Sequence, residues 1–152
     1  MRIENIADHL DLLDTLAQWH GAQWGAEWAD QVRQSTCRDH IPTIYIALDG
    51  DELLGSAMLV EKDMTTRTDL TPWLGGVYVK PGSRQHGVAT ALVRHAMGQA
   101  AGMGIQRLWL YTPASRKLYE ELGWQFVMEE DYLGERVTIM QLDLPSGGAT
   151  TG

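Results

Sequence analysis

Hydrophobic residues in the first forty positions recur at the spacing of amphipathic helices. Four apolar residues on one helical face predict a helix over roughly residues 7–19. These residues are Leu10, Leu13, Leu16 and Ala17. Trp24 and Trp28 are four positions apart, which is typical of one face of a second helix that runs to about residue 38.

The pattern changes to that of strands after residue 42. The segments TIYIAL (43–48) and LLGSAMLV (53–60) flank the turn residues Asp49-Gly50, which predicts a β-hairpin. The segment WLGGVYVK (73–80) is predicted to be the next strand, and its Gly75-Gly76 pair indicates a bulge or a close approach of another group to the backbone. The polar segment between these strands, which ends in a proline, is predicted to be a loop.

Helices and strands alternate in the second half of the chain. We predict helices over about 87–103 and 114–122, and strands over 107–111, 124–128 and 136–144. A strand–helix–strand unit implies two parallel strands joined by a right-handed crossover. The predicted fold class is therefore α/β (α+β), with a mixed, mostly antiparallel central sheet, one parallel strand pair, and helices on both faces. Residues 1–144 are predicted to be one domain, and the small, polar residues 145–152 a flexible tail.

Composition narrows the class of protein. Of the 152 residues, 44% are hydrophobic and 21% are charged, which is the balance of a globular domain. There is no run of about 18 apolar residues, so no membrane span is predicted. Cys37 is the only cysteine and the N-terminus does not resemble an export signal, so a cytoplasmic location is expected. A net charge of −8 argues against nucleic acid as a partner.

The charges are distributed unevenly along the chain. Residues 70–119 contain six basic residues and no acidic ones, a formal charge of +6, whereas the rest of the chain carries −14. This asymmetry indicates one region that binds an anion and another that attracts cations, although a solvated acidic face is an alternative explanation of the second.

The segment RQHGVATAL (84–92) lies in the acid-free region and begins the helix predicted after the third strand. A helix N-terminus carries partial positive charge and unpaired N–H donors, so it binds phosphate groups. Gly87 leaves room for a bulky anion, Ala89 keeps the next position small, and Arg84 adds a positive charge. The alternative is a plain, weakly capped helix start.

These residues resemble a known family. VYVKPGSRQHGVATALVRHA, followed by LYEELGW (118–124), is similar to the GCN5-related N-acetyltransferase (GNAT) superfamily over roughly residues 40–144. The resemblance implies that the (Q/R)-x-x-G-x-(G/A) loop binds the pyrophosphate of acetyl-coenzyme A, and that the preceding strand pairs with its pantetheine arm. The implied cofactor-binding residues are Val77, Tyr78, Val79, Arg84, Gln85, His86, Gly87, Val88, Ala89 and Thr90. No metal is expected.

The resemblance also implies direct attack of an amine on the thioester in a ternary complex. A backbone N–H around Val79 would stabilise the developing oxyanion, and Tyr119 would protonate the leaving thiolate. Asp63 is our candidate for the general base, with Glu27, Glu61, Asp69 and His20 as alternatives.

The acceptor is predicted from bulk charge and from aromatic residues. Trp24, Trp28, Trp73 and Asp69 are candidate substrate-binding residues, although tryptophans at such positions also pack in cores. We expect an N-acetyltransferase that acts on a small cationic amine, such as a polyamine or an aminoglycoside. The alternatives are a protein N-terminal or lysine acetyltransferase, a non-catalytic acyl-CoA sensor, and a generic nucleotide-binding domain. A homodimer is possible.

Overall fold

The computed structural model of the chain describes residues 1–113 and 116–145, which form seven strands and four α-helices. The strands are β1 (Arg2–Asn5), β2 (Thr43–Asp49), β3 (Glu52–Val60), β4 (Trp73–Val79), β5 (Arg107–Thr112), β6 (Gln125–Tyr132) and β7 (Glu135–Asp143). The helices are α1 (Leu13–Trp24), α2 (Ala26–Gln34), α3 (Val88–Gly102) and α4 (Lys117–Glu121).

All seven strands belong to one sheet in the order β1-β2-β3-β4-β5-β7-β6. The β4–β5 pair is parallel and is joined through α3, whereas the other neighbouring strands are antiparallel. The predicted fold class, a mixed and mostly antiparallel sheet with one parallel pair, is confirmed.

Hydrophobic side chains cover both faces of this sheet. On one face, α3 contributes residues such as Leu92 and Ala96 to a core that also includes Leu59, Leu108 and Met140. On the other face, residues of α1 and α2 pack against alternate positions of the same strands; these are Leu16, Ala17 and Val32, opposite Ile44, Ile46 and Met58. Successive side chains of a strand point to opposite faces, which is why both layers draw on the same strands.

The N-terminal region differs from the prediction. The segment RIEN forms an edge strand that its short pattern does not reveal, and two 3₁₀ turns over residues 6–12 precede α1. The predicted helix over 7–19 is therefore wrong at both ends. Trp24 and Trp28 also do not share a helix, because Gly25, at a φ of 113°, separates α1 from α2. Helix α2 ends at Gln34, four residues before the predicted end.

The later elements agree with the prediction except at their ends. Helix α4 begins at Lys117, and strand β6 continues to Tyr132, four residues beyond the predicted end. The predicted start of the short helix at Ala114 and the tail from residue 146 onward lie outside the described residues. None of the helices in the described part of the chain is long and apolar enough to cross a membrane.

Candidate active site

A gap opens between β4 and β5 in the middle of the sheet. Within the described residues, these parallel strands pair only at Trp73 and Trp109, near their amino ends. Beyond that point β4 pairs with β3 and β5 pairs with β7. The carboxyl ends of parallel strands are where α/β sheets bind ligands, and three cavities lie along this gap.

The first cavity, which we call the loop cavity, has a volume of about 320 Å³ and lies beside the start of α3. It is lined by Ser83 and by eight of the ten predicted cofactor-binding residues. These eight are Val77, Val79, Arg84, Gln85, Gly87, Val88, Ala89 and Thr90. The structure therefore brings most of the predicted set to one place.

Gly87 is the N-cap residue immediately before α3 and has the left-handed conformation, with a φ of 78°. A Cβ atom built at Gly87 would have no neighbour within 4 Å among the described residues, so the glycine leaves the surface open, and its positive φ is one that glycine adopts without strain. Among the described residues, no side chain caps this helix, and its first turn holds no acidic residue. The first N–H groups of α3 are thus free to bind an anion.

Three residues of the predicted cofactor set have more specific placements. Arg84 Nε donates a hydrogen bond to the Val79 carbonyl at 2.8 Å, so the arginine ties the loop to the end of β4 in addition to lining the cavity. The Tyr78 ring does not line the loop cavity: its centroid lies 5.6 Å from that of Trp19 in α1, and Arg84 Cζ lies 5.7 Å from the same Tyr78 centroid. His86 lines a neighbouring surface cavity instead of the loop cavity.

Strand β4 has a bulge at Gly76 and Val77, so the predicted bulge occurs but begins at the second glycine of the Gly75-Gly76 pair. The partners Ser56–Tyr78 and Met58–Gly75 leave one residue of β3 opposite two of β4. A Cβ atom at Gly75 would lie 2.7 Å from Asp63 Oδ2, and one at Gly76 would lie 2.5 Å from Met58 Sδ. Both glycines therefore face the same side of the sheet, and Gly76 has a φ of 55° that few other residues adopt.

The second cavity, the central cavity, has a volume of about 130 Å³ and is lined by residues 74–77 of the bulged strand. Tyr119 lines it from α4, and burial raises the pKa of Tyr119 to about 12, so that its phenol keeps the proton at neutral pH. The tyrosine ring packs edge-on against Trp124, with centroids 6.2 Å apart. Val77 lines both the loop cavity and the central cavity.

Asp63 reaches the central cavity from the loop between β3 and β4. The residue as a whole is partly buried, but its Oδ1 atom is shielded from solvent and has no hydrogen-bond partner among the described residues. This burial raises the pKa of Asp63 to about 7. The loop is held against β6 by the ion pair of Arg67 and Glu130, at 2.7 Å, and by the Thr65 N–H, which donates to the Tyr132 hydroxyl at 3.0 Å.

The third cavity, the outer cavity, has a volume of about 330 Å³ and lies between α2 and the same loop. Trp28, Asp63 and Tyr111 line both it and the central cavity. Its other charged and aromatic lining residues are Glu27, Lys62 and Tyr132. The three cavities thus follow one another along the gap, each sharing lining residues with the next.

The predicted substrate residues have different placements. Trp24 lines the central cavity, and its ring centroid lies 5.5 Å from that of Trp28 across the Gly25 break. Trp73, in contrast, is fully buried and its Nε1 donates to the Leu70 carbonyl at 2.7 Å, so the structure places it in the core and not in a substrate wall. The Asp69 side chain is 66% exposed and lies 4.0 Å from Arg67, outside the lining of these cavities.

The other candidates for the general base lie in different parts of the structure. Glu27 lines the outer cavity, Glu61 is exposed, and His20 is buried behind β4, where desolvation lowers its pKa to about 4. Sequence reasoning did not single out Tyr111 and Tyr132. Tyr111 alternates with core residues of β5, but any half-buried tyrosine in a strand shares that pattern, and Tyr132 is buried at the end of β6 like an ordinary core residue.

Comparison with known proteins identifies the family to which this fold and site belong. Residues 10–124, more than half of the chain, match the model of the Acetyltransferase (GNAT) family. No curated protein matches the chain.

Similar solved structures include an aminoglycoside 6'-acetyltransferase type Ii, at 19% identity and a TM-score of 0.75, with 95% of this chain and 99% of that chain covered. An aminoglycoside 6'-N-acetyltransferase complexed with coenzyme A has 17% identity, a TM-score of 0.74, and coverage of 95% and 98%. An IAA acetyltransferase from Bacillus cereus has 21% identity, a TM-score of 0.65, and coverage of 94% and 99%. The loop at the start of α3 and the separated β4 and β5 strands agree with the family match. The chain therefore belongs to the GNAT acetyltransferase family, whose enzymes use acetyl-CoA.

Proposed function

We propose that the protein transfers the acetyl group of acetyl-CoA to a primary amine of a small cationic molecule, such as a polyamine or an aminoglycoside. The observation that carries this proposal is the order of the three cavities. An anion-binding loop lies at one end and an acidic, aromatic cavity at the other. Asp63 and Tyr119 both line the small cavity between them.

The loop cavity fits the cofactor of the family. The uncapped N–H groups of α3 and the open surface at Gly87 suit a pyrophosphate, and Val77 and Val79 border the path from there to the central cavity. Bound in this way, acetyl-CoA would supply the acetyl thioester that the amine attacks.

Asp63 is the base that we propose. An alkylamine reaches the site as an ammonium ion, because its pKa is near 10.4, and it must lose a proton before it can attack. Asp63 lines both the outer and the central cavity, so its carboxylate is positioned to take that proton as the amine passes between them. A pKa of about 7 lets Asp63 accept the proton and release it again near neutral pH.

A tyrosine hydroxyl and a backbone N–H act on the thiolate sulfur and on the acyl oxygen. Tyr119 retains its proton at neutral pH and can donate it to the departing thiolate sulfur. A backbone N–H of β4 stabilises the negative charge that develops on the acyl oxygen. We assign this donor to Val77 instead of the Val79 region, because Val77 lies in the bulge and lines the central cavity, whereas Val79 lines only the loop cavity.

The outer cavity supports a cationic acceptor. Among its described lining residues, Glu27 and Asp63 provide two carboxyl groups and Lys62 one ammonium group. Trp28 and Tyr111 offer aromatic rings to a cation. The aminoglycoside acetyltransferases among the similar structures are consistent with such a substrate.

A thiol-release assay with a panel of amines tests the proposal. Acetyl-CoA should support turnover with polyamines or aminoglycosides and much less with lysine peptides. Turnover on peptides alone would assign the protein to the protein acetyltransferases. A large rise in melting temperature with acetyl-CoA but not with ATP or NAD, together with no turnover on any amine, would identify an acyl-CoA sensor.

A further inference from the structure

A chain of buried hydrogen bonds lies behind the bulge of β4, on the α1 face of the sheet. His20 Nε2 lies 2.8 Å from Ser56 Oγ, and Ser56 Oγ lies 3.0 Å from the Gly76 carbonyl oxygen. His20 and Ser56 are both fully buried. The chain connects α1, β3 and the bulge, and neither side chain lines any of the three cavities.

The direction of these hydrogen bonds follows from the number of protons available. Ser56 has one hydroxyl proton, and the Gly76 carbonyl can only accept, so the hydroxyl donates to Gly76. His20 Nε2 must then carry a proton and donate to Ser56. The ring is neutral, because desolvation lowers its pKa to about 4, and this leaves Nδ1 as an unprotonated atom with no partner among the described residues. His20 is therefore a fixed donor and not a base.

The orientation of the Gly76 carbonyl determines that of the next N–H group. A trans peptide is planar, and its C=O and N–H point in opposite directions. Because the Gly76 carbonyl points to Ser56, the Val77 N–H points away from it, toward the side where Val77 lines the central cavity. Gly76 has a φ of 55°, and glycine allows the Gly76–Val77 peptide to adopt other orientations as well. A hydrogen bond to this peptide is therefore needed to keep it in the observed orientation.

We propose that His20 and Ser56 are positioning residues that hold the Gly76–Val77 peptide with its N–H directed at the acyl carbonyl of the bound thioester. This inference rests on the proposed function, since the N–H has a catalytic use only where an acyl group is bound. Neither side chain touches the reacting atoms, and both act through the bulge.

Replacement of Ser56 by alanine removes the anchor of the Gly76 carbonyl. We expect kcat to fall about 10- to 100-fold, somewhat less than the loss of an oxyanion donor itself, with little change in the KM or Kd of acetyl-CoA. In the protein without cofactor, the Val77 amide should shift in the ¹H–¹⁵N NMR spectrum and exchange faster with solvent.

Ser35→Ala is the matched control. Ser35 is also fully buried, and its hydroxyl also donates to a backbone carbonyl, that of Gln31 at 2.6 Å, but it lies at the end of α2 and lines none of the three cavities. This variant should lose thermal stability and keep the kcat and the Val77 amide signal of the wild type.

A pair of His20 variants completes the test if Ser56→Ala does not fold. Glutamine can present an amide N–H close to the position of His20 Nε2, so His20→Gln should retain most of kcat, whereas His20→Leu should lower kcat as Ser56→Ala does.

The inference would be overturned by a wild-type kcat and Val77 signal in Ser56→Ala, by an equal loss of kcat in Ser35→Ala, or by equal rates in the two His20 variants. Failure of the proposed function looks different: the wild type itself would show no turnover, while the Val77 amide would still report whether Ser56 holds the peptide.

Discussion

Replacement of Asp63 by asparagine should make the protein more stable and less active. Asp63 Oδ1 is shielded from solvent and unpaired among the described residues, so an ionised carboxylate there loses hydration without gaining a partner. Asparagine has nearly the same shape and carries no charge, so it removes this cost. It also cannot take a proton from an amine, so kcat/KM should fall by about 10²- to 10⁴-fold.

The size of the stability change follows from the pKa of Asp63. Its ordinary value is 3.8, and burial raises it to about 7. Between these two values the folded protein holds a proton that the unfolded chain has lost, so the free energy of unfolding falls as the pH rises. At about 1.4 kcal/mol per pH unit, the complete effect is up to about 4 kcal/mol and is reached above pH 7.

Denaturant unfolding of the wild type and Asp63→Asn from pH 3 to pH 8 measures this effect. The difference in free energy of unfolding between the two proteins should grow in favour of the variant from pH 4 to pH 7 and then level off. Asp69→Asn is the control, because the Asp69 side chain lies in the same loop but is 66% exposed, and its effect should be small and nearly independent of pH. A constant difference between Asp63→Asn and the wild type would refute the claim that Asp63 is buried without a partner.

Three other substitutions test separate parts of the site. Tyr119→Phe should lower kcat about 10²-fold or more, with the affinity for acetyl-CoA nearly unchanged in calorimetry; an unaltered kcat would remove Tyr119 from the mechanism. Gly87→Glu combines a strained left-handed residue with a negative charge at the start of α3, so acetyl-CoA should no longer raise the melting temperature. Gly75→Ala brings a methyl group to 2.7 Å from the Asp63 carboxylate and should lower both stability and kcat, whereas Gly98→Ala, at an open position inside α3, should do neither.

The parts of the site that sequence could predict are those with strong local rules. A glycine before an apolar helical pattern, in a region without acidic residues, favours an anion-binding helix start, and Gly87 is the uncapped N-cap of such a helix among the described residues. A pair of glycines inside a strand pattern predicts a bulge, and one occurs here at Gly76 and Val77. The mixed sheet follows in the same way from the alternation of strands and helices.

The parts that sequence could not predict depend on distant residues. A spacing of four does not show whether a glycine between two tryptophans interrupts the helix, as Gly25 does between Trp24 and Trp28. Hydrophobic aromatic character alone does not distinguish Trp73, which is buried in the core, from Trp28, which lines two cavities.

The buried chain behind the bulge depends even more on tertiary structure. His20 meets Ser56 across 36 positions of sequence, and the Gly76 carbonyl lies a further 20 positions along. The local pattern marks Gly76 as part of a glycine pair, but nothing in the three segments links it to His20 or Ser56. Only the packing of α1 on the sheet brings the three together and indicates a role for them.

Acetyl transfer to an amine can be observed directly by ¹³C NMR with acetyl-CoA labelled at the acetyl carbonyl carbon. With an accepted polyamine or aminoglycoside, the thioester signal should be replaced by an amide signal in step with the release of free thiol. No labelled signal should appear on the protein, because the amine attacks the thioester directly. A thioester signal that persists with every amine would contradict acetyl transfer to an amine, and an acetylated protein that forms before the amide would contradict direct attack.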